Sequence, residues 1–288
     1  MKKATKAEQK KMVERLKRSS AYRTAYKDTE FISRDYLRPT RLQLELLKPE
    51  MVFRHHKITS TIVVFGGTRI TETKEAKAEV GRLEQKLKKN PSDVTLKRQL
   101  TTAKAVLRKS HFYGEAHEFG RLVSAESQQN DDYEYVIVTG GGPGIMEAAN
   151  RGAWEVGCKS MGLNIRLPME QEPNPYISPE LCMNFHYFAV RKMHFMLRAK
   201  ALIAFPGGYG TLDELFEALT LVQTKKMQQL PIILFGEKYW KKLIDFEYLV
   251  KEGTIAPEDI ELFVYADKAK DAWEYIKYFY KTKASGNQ

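Results

Sequence analysis

The chain has 288 residues, 43% of them hydrophobic, enough for one large core or two small ones. No apolar run approaches the roughly 18 residues that span a bilayer, and the charged start "MKKATKAEQKKMVERLKRSS" has no leader-like apolar stretch. The formal charge of +11 is concentrated in residues 1–27, where ten Lys/Arg face two Glu, so the rest is nearly neutral. A nucleic-acid partner is therefore disfavoured, with this basic tail its one candidate. Cys158 and Cys182 have no metal-ligand or redox spacing, which predicts free buried thiols and a reducing, cytoplasmic setting.

Residues 1–57 read as a basic, mostly helical extension, interrupted near Pro39 and Pro49. From 58 to 282, short β-branched runs alternate with helical stretches. "ITSTIVVFGG" is a strand entering a glycine turn. Residues 74–110 follow, with a turn at Asn90–Asp93. Val80, Leu83 and Leu87 repeat on one side, and Leu96, Leu100, Ala103 and Leu107 on the other. That spacing predicts an amphipathic helical hairpin inserted in the first crossover. "YEYVIVTGGG" is the second strand and "GIMEAANRGAWEVG" a helix; "KSMGLNI" is the third strand. "YFAVRKMHFMLRAK" and "TLDELFEALTLVQTKK" are helices on either side of the strand "KALIAFPGG". "LPIILFG", one helix over "YWKKLIDFEYLVKEG" and a weak strand "IELFVYA" complete the pattern, before a frayed "KTKASGNQ". Nearly continuous apolar runs suit strands covered on both faces. The expected fold is α/β: a doubly wound parallel sheet with right-handed crossovers.

Three glycine turns follow strands: "FGGTR" from Phe65, "TGGGPGIMEAAN" from Thr139 and "PGGYGTLDE" from Pro206. In such sheets ligands bind beyond the carboxyl ends of the strands, where these turns fall. A curled glycine backbone points several N–H groups at one anion, and a helix N-terminus adds partial positive charge. The three turns predict a phosphate cradle. Gly67, Thr68 and Arg69 come from the first, Gly141, Gly142, Gly144 and Met146 from the second. The third supplies Gly207, Gly208, Tyr209, Gly210, Thr211 and Asp213.

The Walker pattern is absent, and Ile145 stands where a dinucleotide fingerprint needs its third glycine. No His/Cys cluster has metal-ligand spacing and no G-x-S-x-G elbow appears, so neither metal nor organic cofactor is expected. Beside the cradle stand the acids Asp213, Glu214 and Glu217 and the pair Arg191–Lys192. On periodicity alone, Arg191, His194 and Arg198 form a solvated helix stripe, and Met193, Met196 and Leu197 pack in the core. Thr211-x-x-Glu214 has the form of a capping box.

These motifs resemble the LOG ("Lonely Guy") family. Pro206–Glu214 fits P-G-G-x-G-T-x-x-E, Gly140–Met146 fits a G-G-G-x-x-G-[IL]-M-like turn, and Arg191–Lys192 matches the family's Arg-Lys pair. The resemblance covers roughly Ile58 to Ala266, leaving the basic tail and the hairpin outside the usual core. It implies a Rossmann-like homodimer or higher homo-oligomer; the absence of a long apolar run adds the expectation of no membrane partner. The implied reaction hydrolyses a nucleoside 5′-monophosphate, AMP or a cytokinin ribotide, to free base and ribose 5-phosphate. Arg191 and Glu214 would be the catalytic pair. Lys192, the Gly207–Asp213 turn and Thr220 would contact substrate.

The physical reading agrees. Breaking an N-glycosidic bond builds positive charge on the ribose, which a fixed carboxylate stabilises. Three roles are open to Arg191: anchoring phosphate, holding Glu214, or assisting the departing base. A second reading is a non-catalytic carrier of a nucleotide or phosphorylated cofactor, which needs the loops but not the acid. Family members are often labelled lysine decarboxylases, yet no lysine here has a recognisable pyridoxal-phosphate setting.

Overall fold

The structure is a computed structural model that describes residues 5–129, 133–167 and 172–285, in two units, Met1–Lys48 and Pro49–Gln288. In the first unit, α1 (Lys6–Lys17) starts at a capping box between Thr5 and Glu8 and buries no residue. Met12, Val13 and Leu16 are exposed along it. After α2 (Thr29–Ile32) comes α3 (Arg38–His55). Pro39 sits in its first turn, where a missing N–H costs no hydrogen bond. Pro49 lies inside the helix and does not interrupt it, contrary to the expectation from sequence.

The second unit is built on β1 (Thr61–Phe65), β2 (Val136–Thr139), β3 (Ser160–Ile165), β4 (Cys182–Phe185), β5 (Ala199–Ala204), β6 (Ile232–Phe235) and β7 (Val264–Ala266). All pair in parallel, in the order β4-β3-β2-β1-β5-β6-β7. Strands β1 to β4 wind outward on one side, and the chain then returns to lay β5 against the other side of β1. The carboxyl ends of β1 and β5 therefore flank the switch point, where α/β sheets bind ligands.

Between strands run α4 (Thr73–Lys89), α5 (Val94–Lys109), α6 (His111–Ser127), α7 (Ile145–Glu155), α8 (Phe188–Leu197), α9 (Tyr209–Gln223), α10 (Glu237–Leu243), α11 (Phe246–Lys251) and α12 (Ala269–Ser285). The sheet is covered on both faces. Ile62, Val64, Ile203 and Phe235 meet α6, α7 and α12 on one side. Each such side chain, taken out of water, contributes about 1.5–3 kcal/mol. On the other side Phe65 meets Phe195 of α8, ring centroids 4.8 Å apart. Helices α4 and α5 are the expected hairpin, with its own small core of Val80, Leu83 and Ala103 flanked by Leu96, Leu100 and Leu107.

Helices α6 and α7 approach closely. A Cβ at Gly120 would stand 2.1 Å from the Ala149 carbonyl oxygen, and one at Gly152 would stand 2.0 Å from that of His117. Only small residues let two helix backbones come this near.

Three expectations need correction. Strand β4 was not foreseen, because "CMNF" at the sheet edge carries an exposed Asn184 and no apolar run. The single helix expected over "YWKKLIDFEYLVKEG" is two, since Asp245 accepts from Tyr248 N at 2.9 Å and starts α11 afresh. The C-terminal segment stays helical to Ser285, and residues 286–288 lie outside the described residues. Cys158 and Cys182 are free and half-buried, and burial raises both thiols. Among the described residues no helix is long and apolar enough to cross a membrane.

Candidate active site

The three glycine turns meet through their backbones. Gly67 N donates to Pro206 O at 2.9 Å, joining the first turn to the third. Ile145 N donates to Gly67 O at 3.3 Å, joining the second to the first. Gly144 has φ +74°, and a Cβ there would stand 2.4 Å from Gly67 O, so both its conformation and its neighbour require glycine. Helices α7 and α9 begin at the second and third turns with Gly144 and Gly208 as N-caps, neither of which offers a side-chain cap. Two helix N-termini are thus left with uncapped N–H groups, the arrangement that attracts an anion.

A buried polar network braces the second turn from behind. Thr139 Oγ1 donates to Asn150 Oδ1 at 2.7 Å and accepts from Gly141 N at 3.0 Å. Asn174 Nδ2 donates to the same Asn150 oxygen at 3.0 Å and to Gly142 O at 3.2 Å. None of these three side chains was picked out from the sequence. Thr139 closing an apolar strand and Asn150 on an apolar helix were the available signal. Tyr239 was also missed; its hydroxyl donates to Gly207 O at 2.6 Å and steadies the third turn.

Arg191, on α8, is a fixed side chain. Its Nε donates to Leu163 O at 2.7 Å, and its guanidinium lies 5.1 Å from the Phe195 ring centroid. A Cβ on Gly140 would stand 2.7 Å from Nη2 and 3.1 Å from the sulfur of Met146, so the second turn makes room for both. Burial holds the Arg191 pKa below the ordinary arginine value, against the opposing charge of Glu214. The solvated-stripe expectation fails here. His194 is buried beside Glu50, and Arg198 grips Glu50 with two bonds of 2.6 and 2.7 Å. Met196 is in the core as expected, but Met193 and Leu197 are 47% and 55% exposed.

Glu214 is 3% exposed. Helix α9 starts at Tyr209 with Gly208 as N-cap, so Thr211 is the third helical residue and the capping box does not form. The glycines move the helix start ahead of the Thr-x-x-Glu pattern. Glu214 instead faces α8. Lys192 Nζ lies 3.1 Å from Asp213 Oδ2, 3.1 Å from Glu214 Oε2 and 2.6 Å from Glu217 Oε2. Lys192 approaches Oε2 of Glu214 off hydrogen-bonding geometry, so that oxygen has a charge partner but no donor among the described residues. Burial raises the Glu214 pKa, and Lys192 and Arg191 oppose the rise. Burial alone would lower the Lys192 pKa, but its bond to Glu217 and the charge of Glu214 push it up to about 12.

The remaining candidates spread outward from this centre. Gly141, Gly142, Met146 and Thr211 are buried, and a Cβ on Gly207 would stand 2.1 Å from the Thr211 hydroxyl. Thr68, Arg69, Gly208, Tyr209, Gly210 and Asp213 are exposed. Thr220 is exposed too, its hydroxyl donating to Phe216 O at 2.7 Å.

A protein-family model described as "Possible lysine decarboxylase" matches residues 146–276. Two Arabidopsis thaliana proteins are similar to the chain, both named cytokinin riboside 5′-monophosphate phosphoribohydrolase. LOG3 is 38% identical over 82 residues, 28% of this chain and 38% of that protein. LOG5 is 29% identical over 139 residues, 47% of this chain and 60% of that protein. The match to LOG3 therefore spans well under half of that relative's length. Among solved structures, TM1055 has a TM-score of 0.45 at 18% identity, over 76% of this chain and 98% of that one. A molybdenum cofactor carrier protein from Chlamydomonas reinhardtii has 0.45 at 17% identity, over 76% and 96%. The resemblance to the LOG family drawn from the motifs is borne out by the family model and these relatives.

Proposed function

We propose that the protein hydrolyses the N-glycosidic bond of a nucleoside 5′-monophosphate, releasing free base and ribose 5-phosphate. The observation that carries this reading is Glu214: a buried carboxylate on the helix that begins at a glycine cradle, with one oxygen lacking a donor. The activity for which the LOG relatives are named supports it. The three turns hold the phosphate and so place the ribose. As the bond to the base lengthens, Glu214 stabilises the cationic sugar and orients the attacking water. Lys192, tied to three carboxylates, keeps Glu214 ionised and in place. Arg191, pinned by Leu163 and beside Gly140, directs its remaining N–H groups to the phosphate or the departing base. A carrier needs the turns but has no use for an acid held out of water.

The setting of the reaction is a homo-oligomer. Phe188, Met193 and Leu197 of α8 and Phe216 of α9 are exposed apolar side chains on the helices that carry the site, a surface suited to a second copy. Base release from a nucleoside 5′-monophosphate and from its parent nucleoside tests the reading. The monophosphate should have the far higher kcat/KM, because the nucleoside cannot use the cradle. Equal values would overturn the proposal.

A further inference from the structure

We propose that the cavity running from Arg69 along one face of the helical hairpin is a second phosphoryl subsite, suited to a nucleotide whose 5′ chain carries more than one phosphate. This rests on the glycine turns holding the first phosphate, as read above. The cavity, of about 690 Å³, opens between Arg69 at the end of the first turn and one face of α4 and α5. That volume is in the range of small-molecule sites.

Topology sets the direction. Glu214 and Arg191 belong to α9 and α8, on one face of the sheet. The hairpin leaves β1 on the other side, where Glu72 pairs with Arg151 of α7, and Thr73 and Ser110 share a hydrogen bond of 2.9 Å. The glycine turns lie between. A nucleotide with its ribose at Glu214 and its 5′-phosphate on the turns extends any further group toward the hairpin.

The cavity wall has the chemistry for that group. Arg69 and Arg98 line it with no carboxylate partner among the described residues, whereas Arg82 is bound to Glu79 by two bonds of 2.6 Å. Two unpaired guanidinium groups present planar donor forks that match phosphoryl oxygens. Glu75 shares the wall and sets one negative charge against the two guanidinium groups. Leu83 and Ala103 form an apolar floor.

The test uses the full chain, with AMP and ADP as probes and a chelator present, and measures binding by calorimetry alongside base release. ADP should bind about tenfold or more tighter than AMP. Arg98→Ala should erase most of that advantage and leave AMP binding unchanged, while Arg98→Lys, which keeps charge but loses the fork, should fall between. Equal affinity for AMP and ADP, or equal weakening of both in Arg98→Ala, would overturn the subsite. Release of base from neither nucleotide, with the ADP preference intact, would instead remove the hydrolase reading and leave the subsite standing.

Discussion

Lys192 and Glu214 stand 3.1 Å apart across the α8–α9 seam, and the carboxylate oxygen nearest the ammonium accepts no hydrogen bond from the described residues. The lysine supplies charge to an oxygen that is itself enclosed by the protein. Replacing the acid by its neutral isostere separates this electrostatic role from packing. Glu214→Gln should still bind nucleotide and release base at least about a hundredfold more slowly. Burial raises the folded-state pKa of Glu214, so its stabilising contribution is present below its unfolded value and lost as pH rises through the folded one. The glutamine variant should therefore melt at or above wild type at neutral pH. A near wild-type rate would show that Glu214 is not the acid.

The same shift predicts the pH profile. The ionised carboxylate stabilises the sugar cation, so kcat/KM should fall on the acid side with a midpoint above 4.5, the ordinary value for this group. Lys192→Met removes the main charge that holds the pKa down. Its acid limb should move to higher pH still. An unmoved limb, with only KM changed, would make Lys192 a substrate contact and not a positioning residue.

Two glycines of the second turn should fail differently. A Cβ at Gly140 meets only side-chain ends, the Nη2 of Arg191 beyond its pinned Nε and the sulfur of Met146, so Gly140→Ala should fold and melt near wild type yet lose activity as the guanidinium is displaced. A Cβ at Gly144 meets the backbone of the first turn at a φ of +74°. Gly144→Ala should lose at least about 1–3 kcal/mol of stability, read by denaturant unfolding. The opposite pattern would mean that the turns are not locked as described.

Deleting residues 1–27 should leave base release nearly intact, since α1 buries nothing and the proposed chemistry lies in residues 49–288. Any affinity for single-stranded RNA, and its salt dependence, should fall with the ten basic residues. An inactive but folded truncation would place part of the tail in the site.

The sheet was legible because "IVVF" and "VIVT" are buried on both faces, which leaves an unbroken apolar run to read. The turns were legible because three glycine clusters each follow such a run. Edge strand β4 was not, for its half-exposed residues carry no such signature. Arg191 was legible as a residue but not as a half-buried one. Its burial depends on a carbonyl of β3 and on space left by Gly140, both distant in the chain. The capping-box pattern misled because Gly208 starts the helix before Thr211 is reached. Asn174 showed only a local turn, its Oδ1 accepting from Tyr176 N, while the groups it braces are 24 and 32 positions away.

The close seam between α6 and α7 reaches further than packing. Helix α7 carries Gly144 and Ile145 at its start, and Ile145 is hydrogen-bonded to the first turn. Whatever spreads the two helices at Gly120 or Gly152 therefore drags on the cradle from the opposite end of α7. A single added methyl there, remote from any bound nucleotide, acts as a wedge on the site's geometry. Substitutions along this seam should therefore cost stability, since the added Cβ meets a backbone carbonyl, and should weaken nucleotide affinity along with it.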